Sequence, residues 1–76
     1  MNKQRRKEIQ IVIDKLNALT DDLQNIICEE QEYLDNIPEN LQNSERALQS
    51  EESIETLEDI IDDLNDTIEE LEDVGE

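Results

Sequence analysis

Residues 36–44 read Asn-Ile-Pro-Glu-Asn-Leu-Gln-Asn-Ser, and Pro38 within them decides the fold. Proline has no amide hydrogen, its ring clashes with the preceding helical turn, and it pushes the residue before it, here Ile37, out of the helical region. Helical periodicity runs up to this stretch and resumes after it. One helix therefore ends near Asp35 or Asn36. Asn43 or Ser44 is suited to cap a second, with Glu45 placing negative charge in its first turn. The single glycine, Gly75, stands where the second helix would end.

Working outward, each flank carries heptads. Before the proline, Ile9, Leu16 and Leu23 recur every seven residues, as do Val12, Leu19, Ile26 and Tyr33. Taken as a and d positions they form a seam broken only at Glu30, with Ile13, Ile27 and Leu34 widening one edge. After the proline, Ala47, Ile54, Ile61 and Ile68 occupy a, and Leu57, Leu64 and Leu71 occupy d. Ser50 is the polar exception, and Ile60 and Val74 widen that stripe. The sequence thus predicts an all-α, antiparallel two-helix coiled-coil hairpin, with helices over about 3–36 and 44–74 and a connector over 37–43. The 76 residues make one domain at most.

A hairpin turning near residue 40 pairs residues whose numbers sum to about 80. Ile9 then meets Leu71, Val12 meets Ile68, Leu16 meets Leu64, Leu19 meets Ile61, Leu23 meets Leu57 and Ile26 meets Ile54. Every pair joins an a to a d position. The two seam defects, Glu30 and Ser50, also meet, and large Tyr33 falls opposite small Ala47. The basic cluster at 3–7 lands beside Glu69, Glu70, Glu72, Asp73 and Glu76. Agreement of independent features on one register favours the hairpin. A parallel pairing of two second helices would set acidic faces against each other.

Composition narrows the function classes. The chain holds 23 acids and six bases, for a net charge of −17, and lacks His, Trp and Phe. Ile, Leu and Val together number 21, enough to fold a chain this charged rather than leave it disordered. With a single cysteine, Cys28, no internal disulfide can form. That usage suits a reducing compartment, and no run approaches the ~20 apolar residues of a membrane span. A soluble, cytoplasmic protein is expected. A chain this short buries a thin core and generally needs a disulfide, a metal or a partner chain; the partner is the route left.

Six acids, Glu55, Asp59, Asp62, Asp66, Glu69 and Asp73, fall three or four residues apart on one face, thickened by Asp63 and Glu70. Carboxylates every ~5 Å along a helix compare with the phosphates of a nucleic-acid strand. The bland reading is a solvated face; the sharper one is a surface that a nucleic-acid-binding protein would accept. The run Asp59–Asp66 lacks the glycine and spacing of a calcium loop, and a di-iron site needs His, so no metal or other cofactor is expected. Glu30 reads as a register residue, Cys28 faces outward as a poor nucleophile, and no nucleophile–base constellation points to an enzyme. The basic cluster is absorbed by the acidic end of the second helix, so direct nucleic-acid or membrane binding is not expected. Ile13, Ile27, Leu34 and Ile60 flank the seam and are expected to contact a second hairpin in a homodimeric four-helix bundle.

The connector Asn36–Ala47, NIPENLQNSERA, between a helix with a basic start and an acidic helix, resembles small acidic helical proteins of phages and mobile elements of Gram-positive bacteria. The resemblance implies such an origin and no biochemical activity. Some acidic phage proteins inhibit host DNA-binding enzymes. Two functions follow as expectations: a non-enzymatic, self-associating interaction protein, or an acidic mimic that occupies the nucleic-acid groove of a basic host protein.

Overall fold

The computed structural model describes all residues from Met1 to Glu76. Two long helices, α1 (Lys3–Asp35) and α2 (Glu45–Val74), lie antiparallel, joined by a connector that holds one 3-10 turn, Glu39–Leu41. The hairpin measures 60 × 15 × 12 Å. That is a rod two helices wide, with no third layer.

Three of the four helix ends are closed by a nearby side chain. The Asn2 Oδ1 accepts the Arg5 amide hydrogen at 2.8 Å and opens α1. Ser44, rather than Asn43, caps α2, its Oγ accepting from the Ala47 amide at 3.3 Å. At the Pro38 break, Gln42 Nε2 donates to the carbonyls of Leu34 and Ile37 at 3.3 and 2.8 Å. The Leu34 carbonyl, at the end of α1, also accepts from the Ile37 amide, so Gln42 ties the last turn of α1 to the connector. Gly75 ends α2 in right-handed geometry, with φ −79°. Neither backbone nor packing demands glycine there: a Cβ would meet Ile9 Cγ2 at 3.6 Å, an ordinary contact.

The register follows the sum of 80 at the seam's polar break, where Ser50 Oγ donates to Glu30 Oε1. The phase of α2 is the expected one, with Ala47, Ile54, Ile61 and Ile68 buried. The phase of α1 is not. Ile13, Ile27 and Leu34 are 3–5% exposed, whereas Val12, Leu19, Ile26 and Tyr33 are 43–56% exposed. The row at 9, 16, 23 and 30 keeps its place at the seam, but the row beside it is 13, 20, 27 and 34. Four expected pairs, Val12–Ile68, Leu19–Ile61, Ile26–Ile54 and Tyr33–Ala47, are therefore replaced. Ala47 packs in one cluster with Ile27, Leu34, Ile54 and Ile61, and Leu23, Ile37 and Leu57 close it.

The physical reason lies in the polar members of the two competing rows. Thr20 sits in the buried row, and its hydroxyl donates to the Leu16 carbonyl at 2.8 Å, so it enters the seam satisfied. Tyr33 ends the other row, and a buried phenol needs a partner. Leu34 in turn continues to Ile37, which carries the core into the connector.

Deleting buried methylenes costs the transfer energy and leaves a cavity. Ile27→Ala is expected to lower unfolding free energy by about 2–4 kcal/mol. Ile11→Ala, at an exposed outer position, should stay within about 0.5 kcal/mol. Urea titration followed by circular dichroism checks both.

Candidate functional site: an apolar flank and an acidic outer face

Two flanks border the seam, and a third surface lies on the outer side of α2. On one flank, Gln31, Gln42 and Glu51 line a polar groove. The heptad positions along this side are Gln10, Asn17 and Gln24 on α1 and Glu58, Asn65 and Glu72 on α2, all exposed. On the opposite flank run Val12, Leu19, Ile26 and Tyr33 of α1, with Arg46, Ser53, Ile60, Thr67 and Val74 at the matching positions of α2. Tyr33, Arg46 and Ser53 line one groove together. Tyr33 and Arg46 also join Ile37, Pro38 and Leu41 in a second groove at the turn. The α1 side of this flank is apolar from Val12 to Tyr33; Arg46 is the only charge at the α2 positions, and Glu30 reaches the same groove as Tyr33 and Arg46. Of the four residues expected to meet a second hairpin, Ile60 alone is on the open surface; Ile13, Ile27 and Leu34 are spent within the chain. Sequence reasoning had Val12, Leu19, Ile26 and Tyr33 in hand but placed them in the intrachain seam.

The third surface is the outer face of α2. Glu55, Asp59, Asp62, Asp63, Asp66, Glu69, Glu70 and Asp73 are all exposed. Glu55, Asp59, Asp62, Asp66, Glu69 and Asp73 sit three or four residues apart, about 5–6 Å between neighbours, and Asp63 and Glu70 stand next to Asp62 and Glu69. No group of three or more Cys, Asp or Glu side chains is gathered for a metal ion. No helix is long and apolar enough to cross a membrane. Cys28 is free and exposed.

At the open end, the basic cluster of α1 makes local bonds. Arg6 donates twice to the Met1 carbonyl, at 3.2 and 2.9 Å, and Gln4 donates to Glu8. Lys3, Arg5 and Arg6 crowd the positive end of the α1 dipole, and Glu72 and Asp73 crowd the negative end of α2. Each set opposes its own helix. Antiparallel packing brings the bases beside the negative end of α2, which offsets part of that cost.

Compared with known proteins, the chain matches no family model, no curated protein and no solved structure.

Two outcomes follow from the polar break and from the acidic face. Glu30→Leu combined with Ser50→Ala removes both partners of the only side-chain bond between the two helices, and should raise Tm, since apolar replacement of both partners is neutral to stabilising. Ser50→Leu alone leaves the Glu30 carboxylate without its donor and should lower Tm. Thermal melts at 222 nm separate the two. Acids 5–6 Å apart lie inside the ~10 Å Debye length at 0.1 M salt. Tm should therefore keep rising as NaCl is raised toward 1 M, where the screening length is ~3 Å. A fall over that range would show that attraction at the open end outweighs repulsion along α2.

Proposed function

We propose that the protein is a non-enzymatic interaction module that self-associates through the flank carrying Val12, Leu19, Ile26, Tyr33 and Ile60. The observation that carries this reading is the exposure of an unbroken heptad row of large apolar residues beside a seam that is already closed. A helix that is apolar on two adjacent sides is suited to two neighbours, and α2 supplies one. The acids stay on the far side of α2 and keep such an assembly in solution.

Sedimentation equilibrium tests the proposal. A dimer is expected at micromolar concentration, tightening as NaCl is added because apolar burial carries it against charge repulsion. Leu19→Glu should give a monomer of unchanged helicity, because Leu19 lies outside the intrachain core. A wild-type chain that stays monomeric to ~100 μM with full helicity would contradict the reading.

The exposed acids of α2 support a second reading, in which the same rod occupies the nucleic-acid groove of a basic protein. A phage or mobile-element origin, implied by the connector, suits that role. Its mark is opposite in sign: binding to the basic partner would weaken steeply with salt.

A further inference from the structure

The charge along the rod is lopsided in a way that selects how two copies meet. Residues 21–60, the half nearer the turn, hold 13 acids against Arg46, a net of −12. Residues 1–20 and 61–76, the half nearer the termini, hold ten acids against five bases, a net of −5. Two copies aligned turn to turn would set −12 against −12. Two copies aligned turn to terminus set each −12 half against a −5 half and bring the Lys3–Lys7 cluster of each onto the more acidic half of the other.

The apolar row has the matching symmetry. It runs at positions 12, 19, 26 and 33, with Arg5 one heptad before it, and Leu19 lies near the middle of the rod with Ile60 across the seam from it. A two-fold axis at Leu19 pairs row positions that sum to 38. Leu19 then meets Leu19 of the other copy, Val12 meets Ile26, and Tyr33 meets Arg5. That last pair puts a guanidinium, exposed in the single chain, against an exposed aromatic ring, a favourable contact. The hairpin is 60 Å long and 15 Å wide, and the apolar row from Val12 to Tyr33 runs over ~31 Å of it, so a contact of the standard ~800 Å² per partner takes in the whole side of the rod, Ile60 and the polar positions beside it included.

Resting on the self-association reading, we propose that the occupant of the apolar flank is a second copy of this chain, packed head to tail about a two-fold axis at Leu19 to form a four-helix bundle. Row symmetry and charge point to the same arrangement.

Single cysteines in a Cys28→Ser background test the orientation, with sedimentation of the wild-type chain run in parallel. Leu19, Val12 and Ile26 are all exposed in the hairpin, so replacing them leaves its core intact. On mild oxidation, Leu19→Cys should form a disulfide-linked dimer in high yield. Val12→Cys and Ile26→Cys should each remain unlinked alone and become linked when mixed, since disulfides need Cα atoms within about 7 Å and self-pairing there would span 14 residues, ~21 Å, along the axis. All links should vanish in urea. A wild-type dimer in which Val12→Cys links to itself would overturn the head-to-tail arrangement while leaving self-association standing. A wild-type dimer with no link at any of the three sites would show that the flank is not the interface. A monomeric wild-type chain without links would remove both proposals, and a foreign partner would then be the occupant.

Discussion

One neighbouring helix can cover two adjacent rows of side chains on another, and α1 carries three apolar rows. The row at 9, 16 and 23 is flanked by Val12, Leu19, Ile26 and Tyr33 on one side and by Ile13, Ile27 and Leu34 on the other. Everything distinctive about the molecule descends from that excess. The hairpin closes with one flank inside, and the other flank becomes surface. The seam that results is shallow for the chain's length: seven apolar residues and Ser50 are buried, and no large side chain is wholly enclosed. A rod with so little interior gains from any further apolar cover.

Much of this was legible in the sequence. Pro38 marked the break, the pair Asn43–Ser44 and Gly75 marked helix ends, and the matching defects Glu30 and Ser50 marked the register, because each carries a local physical preference that does not depend on the rest of the fold. The phase of α1 was not legible in the same way. Both flanking rows combine with Ile9, Leu16 and Leu23 into a regular alternation of three and four. The row holding Thr20 is the less apolar of the two, so hydrophobicity alone selects the wrong one. What decides is tertiary: Thr20 satisfies its hydroxyl on its own helix, and Ile37 prolongs the Leu34 row into the turn. The acidic face was readable throughout, since eight carboxylates at helical spacing on a polar side of α2 have nowhere to go but solvent.

The corrected phase changes the functional reading as well as the packing. With Ile13, Ile27 and Leu34 inside, the apolar residues left open beside the seam lie on one flank rather than on two. The opposite flank is lined by Gln and Glu. An asymmetric rod of this kind presents one apolar side, one polar side and an acidic back. Association through the apolar side leaves the acids of α2 outward, so self-assembly and docking to a basic partner use different surfaces of the same chain.

The choice of inner flank is the claim on which the rest stands, and methyl NMR reads it directly. In a sample with isotope-labelled isoleucine and leucine methyls, diluted into unlabelled protein so that only contacts within one chain are seen, Ile27 and Leu34 should each show nuclear Overhauser contacts within the methyl cluster that includes Ile54. Ile26 should show none to Ile54. Contacts within one chain from Ile26 to Ile54, with none from Ile27, would place the other flank inside and contradict the account.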